Sequence, residues 1–248
     1  MEPVITTVIS DRLNVDAAVN LATKLAGLVT LKASFVRQHL QAMLSAPTLA
    51  ELSETTSTPE ARLPFVQLYS ALFVASTYVS CQPNFVEPLV PLYRGTLSTA
   101  DQVVLDMFQT FESVRRVSMA SVLRSWSASG LTGTERAFDA FTSLDGGKVN
   151  NTCALFPLHR KIGAGQHKKQ ESNEKIYDPV FIMALLGATL HEKELTGLEW
   201  VEIMRCGGLG IVVCALSARD KSIREFANWL LSKTFSIISV RQHPPIFP

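Results

Sequence analysis

Five basic side chains crowd the stretch Leu158–Ile176: Arg160, Lys161, Lys168, Lys169 and Lys175, with His159 and His167 beside them. Flexible cations neutralise phosphates without needing fixed geometry, so these five are the candidate RNA contacts. A solvated loop has the same composition and no ligand. The segment shows no apolar periodicity, and an exposed, partly disordered loop is expected. Arg115–Arg116 is a second basic spot, of a kind that helical surfaces carry routinely.

Other chemistries find little support. Gly207-Gly208-Leu209-Gly210 is glycine-rich, yet it follows a helical pattern and lacks a Lys-Ser/Thr sequel. Close backbone packing explains it better than a phosphate cradle. There is no P-loop, H-E-x-x-H or G-x-S-x-G, so a non-catalytic chain is expected. Cys81, Cys153, Cys206 and Cys214 show no C-x-x-C spacing and read as buried reduced thiols. Cys153, His159 and His167 would meet at a metal only if the basic loop folded back. No metal and no cofactor are expected.

Composition narrows the partners. The net charge is +1, which implies no global attraction to nucleic acid or membrane. Charged residues make up 18% of the chain, below the usual share of about a quarter. That shortfall fits apolar surface meant for further repeats or partners, and equally a large core. The longest apolar runs, Phe65–Val79 and Cys206–Ala218, fall short of the ~20 residues that span a bilayer. Met1–Ser10 lacks the basic and apolar regions of a secretory signal. An intracellular protein with no membrane partner and no small-molecule substrate is expected.

The elements that would position these residues read as helices. In Trp200–Thr234 a short helix with Trp200, Ile203 and Met204 stops at Gly207–Gly208. Leu209–Leu216 is apolar on every side and should be buried. Asp220 is placed to cap a last helix, whose Ile223, Phe226, Ala227, Leu230 and Leu231 share one face. Asp220 and Arg224 stand four apart, as in repeats that pair an acid with an arginine to fix a turn. Trp200, Gly207, Gly208, Asp220, Arg224, Ala227 and Trp229 thus mark one armadillo-type unit. Where peptide-binding armadillo proteins carry Asn, this chain has Lys233. Such a unit buries its apolar faces against stacked neighbours. Upstream, Val15–Leu44 is helical with a break near Gly27–Thr30, Pro47–Pro59 reads as a linker, and Leu63–Val79 as a helix. Ser98 and Asp101 mark a helix start, and so do Asp178–Pro179 and the capping box Thr196-x-x-Glu199. Trp126 and Trp200 read as core residues. The expected class is all-α, an armadillo/HEAT-like solenoid. Its parts are a helical repeat region (1–157), a basic flexible loop (158–176), an armadillo-like region (177–240) and an unstructured tail (241–248).

Three separated stretches carry a resemblance. Tyr93-Arg-Gly-Thr-Leu-Ser-Thr-Ala-Asp101, leading to Phe111–Glu112 and Trp126, is similar to the "YxxTLSxxD…E…W" region of the Urb1/Npa1 family of nucleolar pre-ribosomal-associated proteins. Leu155–Arg160 (LFPLHR) resembles their Phe-Pro-x-x-Arg stretch, and Tyr177–Leu231 their Tyr-Asp-Pro helix and following repeat. The likeness runs over roughly Pro91–Thr234. It departs at Trp126–Ser127, where relatives have Trp-Gly, and in its far shorter length. The resemblance implies a nucleolar helical-repeat scaffold for early large-subunit assembly and pre-rRNA processing. Its partners would be a second large scaffold, a DEAD-box helicase and pre-rRNA. The alternative is an armadillo/HEAT-type adaptor in another nuclear or cytoplasmic pathway, binding a helix or extended peptide.

Overall fold

A computed structural model describes residues 1–54, 57–119, 126–127, 136–162, 172–192 and 195–242. Helices dominate. The first three are α1 (Glu2–Asp11), α2 (Asp16–Leu28) and α3 (Ala33–Leu44). The expected break falls between the last two, where Val29 is extended at φ −121° and ψ 138°. A β-branched residue there gives up little by leaving the helix. Pro47–Pro59 is not a plain linker, because Pro47–Ser53 forms α4. Proline suits the first helical position, where its missing N–H is no loss.

Central to the first half is α5 (Pro59–Ala75), packed against α2, α3 and the later α8. Short turns α6 (Thr77–Ser80) and α7 (Pro83–Val86) and a 3-10 turn over Glu87–Leu92 lead to β1 (Thr96–Leu97). The Ser98 hydroxyl then accepts the Asp101 N–H at 3.2 Å and opens α8 (Thr99–Arg115), as the sequence predicts.

The second half is built on α11 (Pro179–Leu190), following α9 (Ala137–Thr142), α10 (Gly146–Ala154) and β2 (Asn173–Tyr177). Its near-continuous apolar sequence is buried on most sides, against α9, α13 (Gly208–Ala215) and α14 (Lys221–Gln242). Between lies α12 (Gly197–Arg205), opened by the expected capping box of Thr196 and Glu199. One apolar core runs from Ile5 to Leu230. Its two parts meet at Phe181, whose ring lies edge-on to Tyr93 at 4.9 Å and to Trp126 at 4.8 Å.

Three expectations need correction. Asn173–Tyr177 is an ordered strand antiparallel to β1, pairing Thr96 with Tyr177 and Leu97 with Asn173 around an irregularity. The flexible loop therefore does not reach Ile176, because hydrogen bonding to β1 compensates for the lack of periodicity. Leu209–Leu216 is not buried all round, since Val213 is 53% exposed and Leu216 also faces outward. The last helix runs to Gln242, so Arg241 and Gln242 are helical rather than tail.

Candidate functional site

Among the described residues, the buried arginines and aspartates form two braces. At the first, Asp101 turns its carboxylate back from the start of α8. Oδ1 accepts Arg62 Nη1 at 2.8 Å and the Arg94 N–H at 3.1 Å. Oδ2 accepts the Thr96 N–H at 2.9 Å and the Thr96 hydroxyl. Arg62 also donates to the Leu92 carbonyl, and Arg94 Nη2 to the carbonyls of Ser53 (2.7 Å) and Glu54 (2.8 Å). From sequence, Asp101 is a helix-start acid near a dipole; in the fold it organises four donors. Arg62 lies just outside the apolar run recognised as a helix. A lone arginine at the edge of such a run was the signal for it, because a buried charge needs a partner.

At the second brace, Arg160 Nε lies 3.0 Å from Asp178 Oδ1 and Nη2 lies 2.7 Å from Oδ2. Both side chains are 1% exposed. Burial opposes the charge on Arg160, but the Asp178 carboxylate outweighs it and holds the guanidinium above its ordinary pKa. Asp178 also accepts the Val180 N–H at 3.0 Å, the cap expected from Asp178–Pro179. Arg160 is therefore not a surface phosphate contact. A planar fork matched to a carboxylate is what draws an arginine inside.

The other basic candidates divide. Lys161 and Lys175 are exposed. Lys168, Lys169 and His167 lie outside the described residues. Lys175 lines a cleft of about 510 Å³ with Arg62, Arg94 and Lys148, whereas Lys161 does not.

Of the positions expected to mark a repeat, Gly207, Gly208, Asp220 and Arg224 act on the backbone. Gly207 has φ +75° and ends α12 in the left-handed region that favours glycine. A Cβ on Gly208 would lie 2.4 Å from Phe141 Cζ, which bears out close packing as its reason. Asp220 accepts the N–H groups of Ser222 (2.9 Å) and Ile223 (3.2 Å). Arg224 Nη1 donates to the carbonyls of Ala218 (2.6 Å) and Arg219 (2.8 Å). Both fix the turn, but through backbone groups rather than as an acid–arginine pair. Ala227 is fully buried. Trp229 is 43% exposed and stacks near His191 and Phe226.

The tryptophans expected in the core are there. Trp126 Nε1 donates to the Tyr93 carbonyl at 2.7 Å, and Trp200 is buried. The four thiols are free; Cys81 is buried, while Cys153, Cys206 and Cys214 are half-buried rather than fully so. Burial, with Cys214 adding to it, pushes the Cys153 thiol up to about 11. Among the described residues, no three His, Cys, Asp or Glu side chains group as a metal site. No helix there is long and apolar enough to cross a membrane.

Comparison with known proteins gives one partial likeness. The chain is 26% identical over 183 residues to the nucleolar pre-ribosomal-associated protein 1 of Mus musculus. The match covers 63% of this chain and 8% of the mouse protein. No family model matches the chain, and no solved structure does.

Proposed function

We propose that the chain is a non-catalytic scaffold of stacked armadillo/HEAT-like helices, acting in the nucleolus in early large-subunit assembly. The observation that carries this reading is the likeness to a mouse protein named as nucleolar and pre-ribosomal. The residues behind the resemblance support it by what they do: Thr96, Ser98, Asp101, Trp126, Arg160 and Asp178 all spend their polar groups on architecture. In this reading those groups serve the fold rather than a reaction. A surface to assemble on is what such a chain offers. Its partners in this reading are assembly factors, including a second large scaffold and a DEAD-box helicase. Pre-rRNA is met through Lys161, Lys168, Lys169 and Lys175. Affinity capture of the tagged chain from nuclear extract tests the proposal. Recovery of large-subunit assembly factors is expected; a cytoplasmic chain that recovers none of them sinks it.

A second reading, an adaptor for a helix or extended peptide, is favoured by the half-exposed Trp229 beside His191 and Phe226. It predicts that Trp229→Ala abolishes capture of the partner and leaves the fold intact.

A further inference from the structure

The first brace is short of one negative charge. Arg62 and Arg94 are 2% and 8% exposed, and Asp101 is the carboxylate that both of them meet. Arg94 reaches it through its backbone N–H, while its guanidinium rests on two carbonyls. Burial and the nearby Arg62 lower the Arg94 pKa, and Asp101 offsets this in part. Two donors in the cluster, Arg94 Nη1 and Arg62 Nε, have no hydrogen-bond partner among the described residues. Buried donors without acceptors are costly, and charged ones most of all.

Both arginines line the cleft of about 510 Å³. The start of α10, a nine-residue helix, also lines it through Gly147 and Lys148. The first N–H groups of a helix lack intrahelical acceptors and carry partial positive charge. Thr58, at the start of α5, and Lys175 line it as well. Asp145 and Glu174 are the opposing acids. Asp145 Oδ1 is already bound to the Lys148 N–H at 2.7 Å as the helix cap. Glu174 is exposed on β2.

We propose that this cleft binds a phosphate-type oxyanion, which completes the Arg62–Arg94–Asp101 cluster. The donors lining it come from two guanidinia, two ammonium groups and a helix start. They outnumber the two oxygens of a carboxylate and suit the three or four oxygens of a phosphate. The same chemistry is presented by free phosphate and by a phosphate of RNA. The site stands independently of the scaffold reading.

The test is titration of the full chain with inorganic phosphate, followed by 31P NMR and thermal unfolding. Saturable binding is expected, with a midpoint that rises with phosphate and not with chloride at matched ionic strength. Acetate should bind more weakly. Lys148→Ala removes a half-buried side chain and should leave the fold intact while weakening phosphate about tenfold; Arg94→Gln should weaken phosphate as much, with its loss of stability read in the same unfolding experiment. A 5′-phosphorylated RNA oligonucleotide that displaces phosphate makes RNA the source. Failure of RNA to compete makes free phosphate the source. No saturable binding, or binding unchanged in both variants, overturns the proposal.

Discussion

The Asp178 N–H donates to the Gly95 carbonyl at 2.8 Å, tying the residue that caps α11 to the turn before β1. Arg160 grips the same Asp178 from a third part of the chain. The three stretches that carry the resemblance thus meet at one residue, Asp178.

Breaking that junction from one side should be costly. Arg160→Ala leaves a buried carboxylate with no counter-ion, which costs about 3–5 kcal/mol. Asp178→Asn keeps an acceptor for the Val180 N–H but loses the charge, and should fall in the same range. Urea unfolding measures this as a lower midpoint at unchanged slope. A loss below about 1 kcal/mol in both variants would mean that water reaches the pair.

Gly95 has φ +69°, and a Cβ there would lie 2.6 Å from Phe181 Cε1. Gly95→Ala meets both obstacles. The left-handed backbone costs about 1–2 kcal/mol, and forcing a methyl against a packed ring about 1–3 kcal/mol. Adding Phe181→Leu should recover the second part and not the first. A double-mutant cycle in chemical denaturation reads the coupling; additive losses would show that the ring yields freely.

Helix starts were legible because their chemistry is local. Ser98, Asp178, Thr196 and Asp220 each bond to backbone N–H groups two or three residues on, and that spacing is written in the sequence. The braces were not legible, because Arg62–Asp101 and Arg160–Asp178 join residues 39 and 18 positions apart. Arg160 shows the consequence. Among lysines and glycines it has the composition of a solvated loop, and burial is decided by a partner that composition cannot reveal. Strand β2 escaped for the same reason, since Asn173-Glu174-Lys175 has no apolar alternation and is held by a two-residue partner far upstream. Of the cleft, Lys175 was singled out from sequence as a basic residue, and Arg94 and Thr96 only as part of the stretch that carries the resemblance.

Acid should loosen α12 through Glu199. Its carboxyl accepts the Thr196 N–H at 2.6 Å and Arg136 Nη1 at 2.6 Å. The Thr196 N–H first, and Arg136 after it, hold its pKa down from 4.5 to about 2. The folded value lies below the unfolded one. The contribution is therefore complete above about 4.5 and is lost as pH falls toward about 2. Glu199→Gln keeps the reciprocal cap and should flatten stability across that window. An unchanged pH profile in the variant would show that Glu199 is not the titrating group.

RNA contact separates the basic residues by mechanism. Each lysine that neutralises a phosphate releases counter-ions, so its loss weakens binding and lowers the salt slope by about one unit. Lys161→Ala, Lys168→Ala, Lys169→Ala and Lys175→Ala should each do this for a pre-rRNA fragment while leaving thermal unfolding unchanged. Arg160→Ala should also reduce binding, but in proportion to the fraction unfolded, with the slope of the remaining folded chain intact. Measuring affinity across a salt series, alongside unfolding of the same samples, distinguishes the two. Binding that ignores salt, or that survives loss of all four lysines, would remove RNA from the surface of this chain.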